Sequence, residues 1–159
     1  MLNCLIVMKV KVDEIKKLRA KTKAGIADCR RALEESAGDL AKAEQLLKSW
    51  GINKASEKAK RAIGAGLVET YIHTGGRVGA IVEVNCETDF VARTDEFKTL
   101  AHEVAMQVAA MDPADVEDLL KQEYIRDSSK TVDQLVKETV AKVGENIVIK
   151  RFMRFELGQ

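Results

Sequence analysis

Aromatic side chains are scarce in this sequence. They make up 4% of the 159 residues, whereas all hydrophobic residues together make up 46%. Alanine, leucine and valine must therefore fill most of any core. Small domains bury a small fraction of their surface, so a short module built from such side chains is expected to have only modest stability on its own.

Cysteine and histidine are also few. The three cysteines, at positions 4, 29 and 86, contain no C-x-x-C pair, and their odd number does not fit a disulfide framework. Together with only two histidines, they form no zinc-binding pattern and are typical of a reducing compartment. We interpret Cys29 and Cys86 as small buried side chains, with an intermolecular contact as the alternative.

Long hydrophobic runs are missing. No apolar run approaches the ~20 residues that a membrane-spanning helix needs. The first residues, MLNCLIVMKV, include an apolar run from Cys4 to Met8, but they lack the basic segment and the cleavage site of a secretory signal peptide. We expect a soluble, cytoplasmic protein without membrane contact, in which residues 1–8 are an extension of unknown role.

Motifs that carry covalent chemistry are absent as well. The sequence has no G-x-x-x-x-G-K-[ST] loop and no glycine-rich dinucleotide fingerprint. Two weaker combinations are Cys86 with His102 as nucleophile and base, and Glu87 with Asp89 as a carboxylate pair. No further group completes either set, so we expect no catalytic residues, no metal site and no cofactor.

The net charge of +1 hides an asymmetry between the two parts of the chain. Residues 1–64 carry a net charge of +7, and residues 65–159 carry −6. A basic front and an acidic back favour two modules with different surfaces, although two ordinary solvated surfaces would give the same values.

A basic cluster near the middle of the chain has several interpretations. Lys54, Lys58, Lys60 and Arg61 are the side chains that would contact nucleic acid or an acidic protein surface. Binding of single-stranded nucleic acid usually adds aromatic platforms, and the segment has none. A solvated basic face is the simpler interpretation, and we expect no direct binding of nucleic acid.

Apolar periodicity predicts three short helices in residues 9–51. Gly25, Gly38 and Gly51 are the expected helix ends, and Asp39 is a good N-cap for the third helix. Residues 52–65 are rich in lysine and alanine and predict an exposed basic linker helix. The three apolar stripes are Val12, Ile15 and Leu18, then Ile26, Cys29 and Leu33, and finally Leu40, Ala43, Leu46, Leu47 and Trp50.

In residues 66–159 the apolar period changes to two. Residues 67–73 and 78–86 predict two strands joined by a tight turn with two glycines. Thr94 is expected to cap a long helix, Pro113 to begin another, and residues 128–130 to form a polar junction before a further helix. The expected core face of the second strand is Val78, Ala80, Val82, Val84 and Cys86.

The last segment, NIVIKRFMRFEL, predicts a long strand, which makes this region an α+β domain with a three-stranded antiparallel sheet. An apolar strand at the edge of so small a sheet favours pairing with a second copy. The expected apolar face of this strand, interrupted by Arg151, is Ile147, Ile149, Met153, Phe155 and Leu157.

Between the second strand and the long helix lies Thr88-Asp89-Phe90-Val91. Strand alternation accounts for residues up to Cys86, and the helical stripe begins at Phe97, so neither pattern requires this segment. Phe90 is therefore free to point toward a partner, or alternatively to fold back onto the sheet.

Three segments together resemble the elongation factor Ts family, in a short form with a single core unit. Residues 12–51 resemble the small three-helix, ubiquitin-associated-like domain that opens members of this family. Residues 78–110 are similar to the family's signature segment, in which Thr88-Asp89-Phe90-Val91 matches the central motif. Residues 143–156 are similar to the family's terminal strand.

The resemblance implies a guanine nucleotide exchange factor that acts on elongation factor Tu without covalent chemistry. In the family, the aspartate–phenylalanine pair enters the nucleotide domain of Tu and disturbs the site that holds Mg²⁺ and the phosphates. This implies partner contacts by Thr88, Asp89, Phe90 and Val91. The opening helices would dock on the same domain through Arg19, Lys23, Gly25, Ile26, Ala27 and Arg30.

The resemblance also implies that Tu is bound both with GDP and free of nucleotide, and that the chain forms a homodimer. Two alternatives remain open from the residues. One is a non-catalytic adaptor whose helical domain binds a partner protein while the core dimerises. The other is a protein associated with RNA or the ribosome through residues 54–61.

Overall fold

The computed structural model describes residues 10–22, 24–58 and 61–158, with the backbone alone described at 52–58. The predicted extension at 1–8 and the predicted contact residue Lys23 therefore lie outside the described residues. The chain divides into two compact units, residues 1–53 and 54–159. The finer division into 9–51, 52–65 and 66–159 stays a prediction.

The described residues of the first unit form three helices, as predicted. They are α1 (Val12–Thr22), α2 (Ile26–Glu35) and α3 (Leu40–Lys58). Asp39 caps α3, because its Oδ1 accepts hydrogen bonds from the N–H groups of Ala41 at 3.0 Å and Lys42 at 3.1 Å. The core that the helices share consists of Leu18, Cys29, Ala32, Leu33, Ala43 and Leu47.

The predicted end of the third helix at Gly51 is wrong, because α3 continues to Lys58. Gly38 does end its segment, since its φ of 85° is one that glycine adopts freely. Gly51 instead lies within the helix. A glycine there costs about 1 kcal/mol relative to alanine, which the good helix formers on either side can offset.

The second unit contains a three-stranded sheet and four helices among its described residues, which confirms the α+β class. The large sheet has the order β1-β2-β5 with antiparallel neighbours, so β2 is central. The elements are β1 (Ala65–Ile72), β2 (Val78–Cys86), α4 (Asp89–Ala92), α5 (Asp95–Met111), α6 (Val116–Lys121), β3 (Glu123–Tyr124), β4 (Asp127–Thr131), α7 (Val132–Val143) and β5 (Ile147–Glu156).

The predicted hairpin between β1 and β2 is confirmed. Gly75 and Gly76 have φ values of 93° and 68°, which a tight turn of this kind requires. The N–H of His73 donates to the carbonyl of Val78 at 2.8 Å and closes the hairpin.

The core of this unit lies between one face of the sheet and α5. Thr94 caps α5 as predicted, because its Oγ1 accepts a hydrogen bond from the N–H of Phe97 at 3.3 Å. Cys86 is fully buried, as Cys29 is in the first unit, which confirms their interpretation as core residues. The buried side chains of β2 and α5 are Ala80, Val82, Val84, Cys86, Phe97, Leu100, Ala101, Val104, Ala105, Gln107, Val108 and Ala109.

The predicted face of the last strand is correct only for its first part. Ile147 and Ile149 are buried, but Met153, Phe155 and the following Leu157 are exposed. A β-bulge causes this change, since Val84 pairs with Ile149 and Glu83 pairs with Arg151, which leaves Lys150 without an opposite residue. The extra residue reverses the alternation that follows it.

Two local predictions between α5 and α7 are also wrong. Pro113 does not begin a helix; α6 begins at Val116 and is capped by Asp115, whose Oδ1 accepts from the N–H of Asp118 at 2.8 Å. An N-cap side chain that accepts a hydrogen bond from the first turn defines the start of a helix, and here that side chain belongs to Asp115. The predicted polar junction at residues 128–130 forms strand β4, which pairs with β3.

A buried polar side chain, Gln107, holds the small β3–β4 sheet against α5. Its Nε2 donates to Gln122 Oε1 at 3.2 Å and to the carbonyl of Glu123 at 3.0 Å, and its Oε1 accepts from the N–H of Ile125 at 2.9 Å. A buried amide must have such partners to avoid a desolvation penalty.

Tyr124 is held in the same region. Its hydroxyl donates to Glu103 Oε2 at 2.6 Å. Burial, and then the hydrogen bond to Glu103, raise the pKa of Tyr124 to about 12. Both effects disfavour the tyrosinate, because burial removes water from the charged form and ionisation would remove the proton donated to Glu103.

We expect the tyrosinate absorbance of a Tyr71→Phe variant to rise with a midpoint near pH 12, because Tyr124 is then its only tyrosine. A pKa raised by folding stabilises the folded state below the ordinary value and ceases to do so as the pH rises through the folded value. The free energy of unfolding should therefore decrease between about pH 10 and pH 12, and less so in Tyr124→Phe. A midpoint near 10 would contradict the hydrogen bond.

We also expect Gly66→Ala to destabilise the second unit. Its φ is 152°, and an added Cβ would lie 2.3 Å from the carbonyl oxygen of Val84. Backbone strain and overlap together predict a loss of about 2–4 kcal/mol in the free energy of unfolding, measured by urea denaturation. Gly64→Ala is the matched control, because nothing lies within 4 Å of a Cβ at that position; equal stability of the two variants would refute the expectation.

Candidate functional site

The segment Thr88–Val91 is not irregular, because Thr88 is the N-cap of the short helix α4 and the other three residues lie within that helix. Thr88 leaves β2 in an extended conformation with φ −130° and ψ 156°, and its side chain accepts a hydrogen bond from the N–H of Val91. A threonine N-cap therefore starts a single helical turn between the sheet and α5.

The side chains of this turn point in different directions. Phe90 is 79% exposed, so the alternative in which its ring folds back onto the sheet does not hold. Thr88 and Asp89 are also exposed, whereas Val91 and Ala92 are buried in the core. Within the predicted contact segment, Val91 thus anchors the turn while Asp89 and Phe90 lie at the surface.

Asp89 carries a salt bridge of its own. Its Oδ2 lies 2.7 Å from Nη2 of Arg93, one turn further along, and both side chains are largely exposed. A pair in contact with water contributes little to stability, about 0–1 kcal/mol. Asp89 can therefore exchange Arg93 for another partner at small cost.

Two carboxylates hold the start of the turn. Glu145 accepts the N–H of Thr88 at 2.9 Å through one oxygen and the Thr88 hydroxyl at 2.6 Å through the other. Glu87 in turn accepts the N–H of Asn146 at 2.6 Å. We call Glu87, Thr88, Glu145 and Asn146 the reciprocal clamp, because each segment supplies a carboxylate to the backbone of the other.

Further contacts secure the reciprocal clamp from the buried side. Asn146 is only 4% exposed, and its Nδ2 donates to the carbonyl of Arg61 at 3.2 Å. The thiol of Cys86 donates to the carbonyl of Thr88 at 3.1 Å. The sequence did not reveal this arrangement, since 57 residues separate Thr88 from Glu145 and no periodic pattern connects them.

The hypothesis of Cys86 as a nucleophile finds no support. Burial, and next the charge of Glu145, raise the pKa of Cys86, so the thiol is protonated at neutral pH. His102 contacts Glu69, at 3.9 Å, and the ring of Tyr71. Its described contacts do not include Cys86.

The suggested carboxylate pair of Glu87 and Asp89 is not formed in the structure. Glu87 binds Asn146 and lies 3.6 Å from a nitrogen of Arg61, whereas Asp89 is paired with Arg93. Over the described residues, there is no group of three or more His, Cys, Asp or Glu side chains that could hold a metal ion. The described helices also include none that is long and apolar enough to cross a membrane.

The predicted contact residues of the first unit lie at the α1–α2 connection. Gly25 precedes α2 with φ −61° and ψ 151°, and Ile26 is 58% exposed. Arg30 is exposed and donates to Glu34 at 2.8 Å. The described members of this predicted set, all exposed, are Arg19, Gly25, Ile26, Ala27 and Arg30.

Alanine substitutions at two neighbouring positions of α4 should have different effects on stability, because one side chain is exposed and the other is buried. We expect Phe90→Ala to change the free energy of unfolding by less than about 0.5 kcal/mol, since its ring is exposed. Val91→Ala removes two buried methyl groups and should cost about 1–3 kcal/mol. Chemical denaturation of both variants measures the contrast, and a larger loss for Phe90→Ala would show that its ring is packed.

Known proteins similar to this chain agree in their description. A family model described as "Elongation factor TS" matches residues 87–159. The elongation factor Ts of Thermoanaerobacter sp. (strain X514) is 43% identical over 195 aligned positions, which cover 94% of this chain and 96% of that protein. The elongation factor Ts of Coprothermobacter proteolyticus is 41% identical over an alignment that covers 96% of this chain and 100% of that protein. That of Nostoc sp. (strain PCC 7120) is 50% identical over 143 positions, which cover 90% of this chain and 45% of that protein. The chain belongs to the elongation factor Ts family of translation elongation factors.

Proposed function

We propose that this protein is a guanine nucleotide exchange factor for elongation factor Tu. It binds Tu with GDP, promotes GDP release by disturbing the site of Mg²⁺ and the phosphates, and leaves when GTP binds. The observation that carries the proposal is the exposed Asp89–Phe90 pair on a turn whose two ends are held in place. The exchange requires no covalent step, so we propose that the protein has no catalytic residues. We also propose that it acts in the cytoplasm.

Phe90 supplies the affinity at this site. A phenylalanine ring that is 79% exposed leaves most of its apolar surface in water. Burial in a partner pocket recovers roughly 1.5–3 kcal/mol, and large side chains of this kind form the hot spots of protein interfaces. The burial of Val91 in the core fixes the backbone that presents the ring.

Asp89 supplies the electrostatic effect. A carboxylate brought close to a phosphate group raises the free energy of that phosphate, and it also competes for the cation that the phosphates bind. Its pairing with Arg93 at the surface offers little resistance to this exchange of partners. Arg93 then remains beside the interface as a compensating positive charge.

The effects of nucleotide and of exchange factor on each other's binding to Tu are reciprocal, which allows the factor to leave after exchange. If the exchange factor weakens GDP binding to Tu, then GDP weakens binding of the exchange factor by the same free energy. The factor therefore binds nucleotide-free Tu more tightly than Tu that holds a nucleotide, and incoming nucleotide promotes release of the factor. We propose both the GDP-bound and the nucleotide-free forms of Tu as partners.

The first unit contributes a second contact in this proposal. The exposed side chain of Ile26 is followed by the exposed Ala27, and two exposed basic side chains, Arg19 in α1 and Arg30 in α2, flank them along the chain. An apolar centre with basic neighbours fits an acidic, partly apolar protein surface.

The proposal includes a homodimer, and the structure favours the open face of the sheet over its edge. The helices cover one face of the sheet, whereas apolar side chains remain exposed on the other. A monomer seldom leaves so many neighbouring apolar side chains in water. They are Val68, Ile72, Ile81, Met153, Phe155 and Leu157.

A second copy of this chain is the occupant that the charges of this face favour. Arg151 donates to Glu83 at 2.7 Å across neighbouring strands of the same face. In a two-fold interface, every contact between two residues occurs twice, once with each copy in either role. An acidic and a basic group on the same face, such as Glu83 and Arg151, can therefore also pair between the two copies.

Replacement of Asp89 and Phe90 together by alanine should abolish stimulated GDP release while the fold is retained. The rate of release of labelled GDP from Tu, with and without the protein, measures the effect, and circular dichroism monitors the fold. Ile125→Ala is the control, because this side chain is 47% exposed and lies outside α4 and the open face of the sheet. Full stimulation by the double variant would reject the exchange function and leave the adaptor alternative.

Phe155→Asp should convert the dimer into a monomer, because it places a charge among the exposed apolar side chains of the open face. Sedimentation velocity over a range of concentrations measures the mass. Phe90→Asp is the matched control, since it changes another exposed phenylalanine away from this face. A wild-type chain that sediments as a monomer, or a Phe155→Asp variant that stays dimeric, would contradict this interface.

A further inference from the structure

The short helix α4 cannot fix its own orientation. It contains four residues, from Asp89 to Ala92. A single helical turn is unfavourable in isolation, because the entropy of ordering it exceeds the gain from its first hydrogen bonds. The direction in which Phe90 points must therefore be set by the contacts at the two ends of the turn.

The C-terminal end is held by the core. Val91 and Ala92 are buried, and the Thr94 hydroxyl donates to the carbonyl of Val91 at 2.8 Å. These contacts fix the position of the turn. They do not fix the orientation of its first residues, which depends on the contacts at the N-terminal end.

The N-terminal end is held by Glu145. Both of its carboxylate oxygens are used on one residue, the N–H and the hydroxyl of Thr88, at 2.9 and 2.6 Å. Two hydrogen bonds to an ionised acceptor are stronger and more directional than neutral ones. They also orient the Thr88 oxygen that caps the turn.

We propose that Glu145 is a positioning residue for nucleotide exchange, acting through Thr88 on the orientation of Asp89 and Phe90. The inference rests on the proposed function, since it assigns a role in that exchange to a residue outside the proposed contact segment. Glu87 completes the reciprocal clamp by fixing the backbone of Asn146, which carries Glu145.

Glu145→Ala in the full-length chain should lower stimulated GDP release about tenfold, which corresponds to about 1.4 kcal/mol in the barrier. Thr88→Val removes the hydroxyl that donates to Glu145 and should have an effect in the same direction. Glu138→Ala is the matched control: it removes another carboxylate that accepts a hydrogen bond, here from Lys130 at 3.0 Å, on the helix that precedes Glu145.

A double-mutant comparison distinguishes positioning from general support of the fold. If Glu145 acts through Phe90, Glu145→Ala should have little further effect on release in a Phe90→Ala background. A loss of stability alone would reduce activity by the same factor in both backgrounds. Thr88→Val is tested in the same way, so the comparison does not depend on one variant folding.

Each outcome decides the question. A large effect in the wild-type background that disappears with Phe90→Ala supports the positioning role. Glu145→Ala and Thr88→Val activities equal to that of Glu138→Ala, or equal losses in both backgrounds, overturn it while the exchange function stands. Full activity of the Asp89→Ala, Phe90→Ala double variant overturns the exchange function, and the positioning role with it.

Discussion

The packing of α5 on β2 is the contact on which the second unit depends. The two elements meet through small side chains, such as Ala101 and Ala105 facing Val82 and Val84, all with at most 1% exposed surface. Small side chains let a helix approach a sheet closely, and close packing replaces the large buried area that aromatic residues would otherwise provide. β2 ends at Cys86, and α5 begins to pack on the sheet from Asp95, so the connection between the two elements has to be short and rigid. The turn α4 is that connection, and its outer side is left without any role in the core.

This constraint explains why the candidate site lies where it does. Val91 and Ala92 complete the core at the junction, and their neighbours Asp89 and Phe90 are forced outward by the geometry of one helical turn. The same segment therefore contributes both to folding and to a surface available for binding. The polar contacts of Glu87, Glu145 and Asn146 tie this junction to the loop before β5, so the central strand, the long helix and the last strand meet at one point.

Most elements were predictable from the sequence, because they follow local or periodic patterns. The stripe from Phe97 to Ala109 and the cap at Thr94 identified α5, and the two glycines at 75 and 76 identified the hairpin. Two errors are local, because a glycine or a proline does not by itself define a helix end: α3 continues through Gly51, and α6 begins after Asp115 rather than at Pro113. A third has a longer-range cause, since Lys150 lacks an opposite residue only because of how β5 pairs with β2. At the candidate site, the exposure of Phe90 could be inferred as surplus to both patterns, but the hydrogen bonds of Thr88 to Glu145 depend on the tertiary fold.

The bulge at Lys150 has a consequence for what kind of molecule this sequence encodes. One unmatched residue decides whether Met153, Phe155 and Leu157 belong to the interior or to the outside. Composition and hydropathy are the same in either case, so the apolar character of the exposed face is a property of register, not of residue content. Moving a single insertion along one strand would change which side chains the surface presents, with every apolar residue retained.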